Sequence, residues 1–252
     1  MELPMTEAQK PGWKQNAQGR KFVASFSGGK DSTLALYHAM NAGEPVGLIV
    51  MMEEEGKRSR SHGISEDIIR SQADAIGLPL LAAPADWPAY EDVFIGLLKQ
   101  AKRLGAEVLV TGDLDMPARG CWHDGVTRRV GLDLGMPLWE RDHVETVREF
   151  IDLGFRAFVT TVNLSMGMRE EDLGREFTHE YVDELLARGI DPCGESGEFH
   201  TLVVDGPIFR RPVPVRRRET ARDGECVFLE YALDDGGRRT LRTDCKGDKP
   251  ST

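Results

Sequence analysis

Residues 22–32 read Phe22-Val23-Ala24-Ser25-Phe26-Ser27-Gly28-Gly29-Lys30-Asp31-Ser32, and this stretch decides the fold. Residues 22–26 are short, apolar and β-prone, and they run at once into Ser-Gly-Gly, the pattern of a buried strand that ends in a tight loop. Residues 31–42 follow with apolar positions at Leu34, Ala35, Tyr37 and Met40, a helix that stops before Gly43 and Pro45. Outward from there the alternation repeats. Residues 46–52 (VGLIVMM), 80–83 and 108–111 read as strands, and 64–76 and 93–104 as helices ending at Gly77 and Gly105. Strand and helix in alternation predict an α/β fold with a parallel sheet and right-handed crossovers.

The second half is less regular. Helices are expected over 144–153 and 175–188, and a strong strand over 155–162. Past Phe199 the chain turns β-rich, with strands expected at 200–204, 212–218, 227–233 and 238–243, the last two joined by a turn at 234–237. The run Arg210, Arg211, Arg216, Arg217, Arg218 sits among Pro212 and Pro214, which favours a charged edge strand over a nucleic-acid patch.

Composition sets the outer limits. In 252 residues, 40% hydrophobic and 29% charged, collagen-like, disordered and membrane classes drop out. A net charge of −10 disfavours a protein that lives by blanketing a phosphate backbone. Cys121, Cys193, Cys226 and Cys245 lack CxxC spacing and are too sparse for a disulfide framework, so a reducing, cytoplasmic setting is expected. Residues 1–20 carry no apolar run of signal-peptide length and read as a polar, poorly ordered lead-in.

The loop between the first strand and first helix carries the chemistry. Gly28 and Gly29 let successive N–H groups turn toward one concavity at a helix N-terminus, a phosphate cradle. Ser27 and Ser32 offer hydroxyls to phosphate oxygens, Lys30 offers charge, and Asp31 can cap the helix or hold a divalent cation. The spacing is neither Walker A nor GxGxxG.

Ser27-Gly28-Gly29-Lys30-Asp31-Ser32 resembles the PP-loop of the N-type ATP pyrophosphatases. A second motif narrows the likeness: Asp191-Pro192-Cys193-Gly194-Glu195-Ser196-Gly197-Glu198-Phe199-His200-Thr201, then Asp205-Gly206-Pro207-Ile208-Phe209, is similar to the signature of the diphthine–ammonia ligase family. Gly112-Asp113, Pro137-Leu138-Trp139 and Gly154-Phe155-Arg156-Ala157 fall where that family has matching segments. The resemblance implies a HUP-type (Rossmann-like) PP-loop ATP-binding domain over 21–135. A smaller α+β acceptor-binding portion with a β-rich C-terminal extension then occupies 136–252. It implies ATP with Mg²⁺ on residues 27–32, Asp31 serving the metal, and adenine near the end of the second strand at Met51. It also implies an AMP-forming ligase that adenylates an acceptor oxygen and replaces it with ammonia. The acceptor is a small molecule or a modified residue, a nucleotide among the options, and a homodimer is left open.

Glu195 and Glu198, on a glycine-rich loop, are candidates to orient an amine, accept its proton or ligate a cation. Asp113 lies at the carboxyl end of a strand, the edge where open α/β sheets bind ligands. His62 and Arg58, in the loop after the second strand, are candidates to face the substrate, with Gly194, Gly197 and Cys193 beside them. Between Asp113 and Pro137 the chain departs from the family pattern, and Gly120 and Gly125 bracket Cys121, Trp122, His123 and Asp124 in what is expected to be an exposed loop. A thiol there, near His123 and Arg119, is expected to have a lowered pKa. Sulfur transfer through a Cys121 persulfide, with Cys193 as second candidate and a guanine nucleotide as one acceptor, is therefore the alternative to ammonia ligation. A non-catalytic adenine-nucleotide sensor is the third reading.

Overall fold

A computed structural model describes residues 12–116 and 120–234. The turn and strand expected beyond residue 234, Arg119, Cys245 and residues 1–11 lie outside them.

The first half builds a five-stranded parallel sheet from β1 (Lys21–Ser25), β2 (Glu44–Met52), β3 (Leu80–Pro84), β4 (Val108–Val110) and β5 (Asp133–Gly135), in the order β3-β2-β1-β4-β5. The crossovers are α2 (Lys30–Met40), α3 (Glu66–Ile76), α4 (Tyr90–Arg103) and α5 (Trp122–Val130). Both faces of the sheet are covered, which explains strands that read as continuous apolar runs. Phe22 and Ala24 of β1 point into one core cluster with Leu48, Val50 and Met52, while Val23 joins Ile49, Met51, Phe94 and Leu98 in the other. Burying a side chain such as Phe22 completely contributes about 1.5–3 kcal/mol, so a one-residue slip of β1 is strongly disfavoured.

Two expectations change here. The lead-in is structured from residue 12 onward: α1 (Trp13–Ala17) buries Ala17 completely, and Asn16 Nδ2 donates to the Leu134 carbonyl at 3.1 Å, docking the helix on β5. The expected exposed loop around Cys121 is instead the start of α5. Cys121 is its N-cap, with Sγ accepting from the Asp124 N–H at 3.5 Å, while the Asp124 carboxylate accepts from the Gly120 N–H at 2.9 Å.

The second half forms one antiparallel sheet, β7-β6-β9-β8, from β6 (Arg156–Asn163), β7 (Phe199–Asp205), β8 (Val215–Asp223) and β9 (Cys226–Leu233). The β-rich C-terminal extension is antiparallel, and β9 joins it to β6 in this same sheet. Arg216, Arg217 and Arg218 fall in β8, an exposed edge strand, while Arg210 and Arg211 precede it. Helices α6 (His143–Asp152) and α7 (His179–Ala187) pack on this sheet and share the core cluster of Phe22 through Phe150, Phe177 and Tyr181. Helix α7 starts later than the sequence suggests because residues 175–177 lie along β6: Phe177 N–H donates to the Ala157 carbonyl at 2.8 Å. Among the described residues no helix is long and apolar enough to cross a membrane.

Candidate functional site

The loop 27–32 sits at the carboxyl end of β1, where it meets β7 of the second sheet. The Val203 N–H donates to the Gly28 carbonyl at 3.0 Å, and the Lys30 N–H donates to Thr201 Oγ1 at 3.1 Å. Gly29 is required by this approach: a Cβ there would lie 2.4 Å from His62 Cε1 and 3.1 Å from the Thr201 carbonyl oxygen. The expected cradle of free N–H groups is therefore partly spent on the protein itself, since Gly29 N–H also reaches Ser27 Oγ at 3.3 Å and Ser27 N–H reaches Ser32 Oγ at 3.2 Å. What the loop presents outward are side chains, the hydroxyls of Ser27 and Ser32, 3.0 Å apart, and the Asp31 carboxylate.

Two adjoining clefts open over this loop. The larger, with about 750 Å³ of empty space open to solvent, is bounded by Ser27, Ser32, Gly112, Asp113, His123 and Tyr90. The other, about 470 Å³, is bounded by Lys30, Cys193, Gly194, Gly197, Phe199 and His200. Asp31, His62 and Glu195 line both and form the boundary between them.

Charge at that boundary is tightly arranged. Lys30, 4% exposed, donates from Nζ to Asp31 Oδ2 at 2.8 Å and to the Cys193 carbonyl, so it ties the first loop to the acidic loop rather than facing the larger cleft. Burial opposes its charge, yet Asp31 and the other acidic neighbours outweigh that and raise its pKa. Burial, then the charge of Asp31, pushes Glu195 up to about 7, so this carboxyl exchanges its proton near neutral pH. The rings of His62 and His200 lie tilted against each other, 4.4 Å between centroids. Burial holds them at about 4 and about 3, which leaves both imidazoles neutral.

The acidic loop is held by Asp191, whose carboxylate accepts from the N–H groups of Cys193 (3.0 Å) and Glu195 (3.2 Å). His143, at the first position of α6, joins Asp191 (2.9 Å) to Asp115 (3.1 Å) and so straps the acidic loop to the segment after β4. Burial works against protonation of His143, but the two carboxylates raise its pKa overall. His143, His200, Thr201 and Tyr90 were not among the residues expected from sequence. The first is betrayed by no local pattern, whereas His200 and Thr201 stand inside the second motif.

Several expected residues lie elsewhere. Glu198 is 8% exposed, lines neither cleft, and keeps Oε2 buried without a hydrogen-bond partner. Met51 packs in the core cluster beneath α4 and lines neither cleft. Arg58 pairs with Glu230 at 2.5 Å and lines a third cavity, which His62 also borders. Cys121 is buried as a helix cap, and burial drives the Cys193 thiol far above its usual pKa, so Cys193 is a protonated, packed thiol rather than a nucleophile.

Two groupings offer cation ligands. His143, Asp191 and Cys193 bring ligand atoms within 4.8 Å of one another, but these atoms are engaged among themselves, Cys193 Sγ donating to the His143 carbonyl at 3.5 Å. Asp31 with the hydroxyls of Ser27 and Ser32 is a set of hard oxygens at the cleft, the donor type that suits Mg²⁺.

Comparison with known proteins completes the picture. The model of the diphthamide synthase N-terminal domain matches residues 20–134, and that of the diphthamide synthase C-terminal domain matches residues 142–231. The chain belongs to the diphthine–ammonia ligase family. Among its relatives, the diphthine–ammonia ligase of Schizosaccharomyces pombe is 28% identical over 236 residues, covering 83% of this chain and 39% of that protein. The Danio rerio ligase is 24% identical, covering 82% of this chain and 91% of the relative, and the Homo sapiens ligase 22%, covering 84% and 89%. The chain thus spans about two fifths of the fission-yeast relative and nearly all of the vertebrate ones. A solved structure described as a predicted subunit of tRNA methyltransferase from Methanocaldococcus jannaschii aligns with 18% identity over 74% of this chain and 97% of that one, at a TM-score of 0.39. Family membership makes this an enzyme of the ATP pyrophosphatase type, an AMP-forming ligase that uses a nucleotide and resembles diphthine–ammonia ligase.

Proposed function

We propose that this chain is a two-part, HUP-type ligase in which residues 21–135 bind ATP and residues 136–252 supply the acceptor side. ATP lies in the larger cleft with its phosphates toward Ser27, Asp31 and Ser32, and the acceptor enters the smaller cleft beside Gly194 and Gly197. When bound, Mg²⁺ supplies neutralisation of phosphate charge, and Asp31 is the residue to hold it. The acceptor's carboxylate oxygen attacks the α-phosphorus, the bond to the β-phosphate oxygen breaks, and pyrophosphate leaves. Ammonia nitrogen then attacks the activated carbon, AMP departs with the electron pair of the C–O bond, and the surplus proton on nitrogen passes to Glu195.

The observation that carries this reading is that Asp31 and Glu195 stand on the boundary shared by the two clefts. A reaction that joins a nucleotide to a second molecule needs its charged groups at such a junction, held in place before reaction. Glu195, raised to about 7, is matched to taking a proton from an amine at neutral pH. Membership of the diphthine–ammonia ligase family makes a diphthine-type carboxylate the acceptor to test first.

The test supplies ATP, Mg²⁺, ammonium and diphthine-bearing elongation factor 2, and reads the acceptor by mass spectrometry. Replacement of a carboxyl hydroxyl by an amino group supports the reading, and Cys121→Ser, which keeps a side-chain acceptor at the α5 N-cap, is expected to leave its rate within about twofold. An unmodified acceptor overturns the diphthine assignment. A sulfide-dependent product that Cys121→Ser abolishes overturns ammonia ligation.

A further inference from the structure

Asp113 Oδ2 and His123 Nδ1 face each other at 3.5 Å in the wall of the larger cleft, and both atoms are buried without a hydrogen-bond partner. Buried polar atoms are rarely left unsatisfied, because each costs free energy comparable to a lost hydrogen bond. Both residues line the larger cleft, so this unmet hydrogen-bonding capacity lies in its wall. The pair is not an ion pair completing itself: burial lowers the His123 pKa against the pull of Asp113, so the imidazole is neutral.

Resting on the nucleotide reading of the larger cleft, we infer that Asp113 and His123 together bind the cis-diol of the ribose and make the enzyme selective for ribonucleotides. The carboxylate accepts from one hydroxyl, and the imidazole nitrogen bonds the other. Position along the cleft points to the sugar rather than the base. A Cβ on Gly112 would lie 2.7 Å from the Asp31 carbonyl carbon, so the backbone next to Asp113 is pressed against the start of α2, immediately beside the phosphate-facing residues. The sugar is the group one bond removed from the α-phosphate. Tyr90, another lining residue, in ring contact with Trp122 at 5.5 Å and 6.4 Å from Phe94, offers an apolar face for the base. His123 itself is placed by α5, whose Trp122 is 5.2 Å away and whose Trp122 Nε1 donates to Glu91 at 2.9 Å. The segment that departs from the family pattern thus contributes a nucleotide-selecting residue.

Isothermal titration of the whole protein with Mg²⁺ and, in turn, ATP, 2′-deoxy-ATP, 3′-deoxy-ATP and inosine triphosphate tests this without any acceptor. The expected result is a Kd for either deoxy analogue weaker than that of ATP by about tenfold or more, the size of a lost hydrogen bond to a charged or buried partner. Inosine triphosphate is expected to bind with less discrimination than the deoxy analogues. In His123→Ala and Asp113→Ala the ratio of deoxy-ATP to ATP affinity rises toward one, and because the wild-type comparison stands alone, a variant that fails to fold does not rescue the inference. Equal affinity for ATP and both deoxy analogues overturns it while leaving the nucleotide reading intact. Discrimination against inosine triphosphate alone overturns it by assigning the pair to the base. No binding of any nucleotide overturns the nucleotide reading and this inference with it.

Discussion

Two glycine-bearing loops meet at the site, residues 27–32 and residues 191–201, and they are held by different means. The first is fixed by main chain: its carbonyl and N–H groups are taken by Val203 and Thr201 of β7, and Gly29 admits the His62 ring. The second is fixed by side chains: Asp191 gathers two N–H groups and His143, and Lys30 reaches across to the Cys193 carbonyl. A loop held by its backbone presents every outward side chain to the ligand. A loop held by side chains divides its acids between structure and chemistry, and this is why Glu195 faces both clefts while Glu198 is buried.

Substitutions of the two glutamates give the sharpest way to break that contrast. Glu195→Gln is expected to lower kcat by about 10²–10⁴, the usual contribution of a positioned general base, with little change in ATP affinity. Wild-type kcat is expected to rise through pH 7, following the Glu195 pKa of about 7, and this rise is expected to vanish in the variant. Glu198→Gln is expected to leave the pH profile in place, because its carboxyl lines neither cleft. Matching losses and matching pH profiles for the two variants contradict the division.

Gly29→Ala tests the main-chain side. The added methyl collides with His62, an overpacking that costs about 1–3 kcal/mol and is measurable by urea denaturation. Unchanged stability means that the His62 ring yields freely and the loop is not pinned. A smaller effect is expected from acid. His62 and His200 have folded pKa values of about 4 and about 3, depressed below the usual value, so an unfolded chain takes up protons first as pH falls. Stability is therefore expected to be full above pH ~6.5 and to decline as pH drops toward 4, and His200→Gln is expected to flatten that decline. A pH-independent stability over this window contradicts neutral, buried imidazoles.

The parallel sheet and the loop at 27–32 are legible in sequence because each is local: apolar runs of strand length, a glycine pair, a helix of the right period. Helix α5 was hidden by Gly120 and Gly125, which read as loop, although Trp122, Val126 and Val130 repeat at i, i+4, i+8 and Gly131 ends the helix in a left-handed cap. Its consequence for the site is large, since a buried Cys121 replaces an exposed thiol and His123 turns into the cleft. The split between Glu195 and Glu198 could not be read at all. It depends on which side of the acidic loop faces α2, and that is set by His143 from a helix some fifty residues away. The same holds for Arg58, whose charge is taken by Glu230 on β9.

The account's central claim is that the residues at the junction of the two clefts direct cleavage between the α- and β-phosphates of ATP. Phosphorus-31 NMR of a reaction containing ATP, Mg²⁺, ammonium and the diphthine-bearing acceptor measures this directly. AMP and pyrophosphate from the wild-type protein, and neither from a folded Asp31→Ala variant, is the predicted result. ADP with inorganic phosphate from the wild-type protein, or undiminished pyrophosphate from Asp31→Ala, contradicts it.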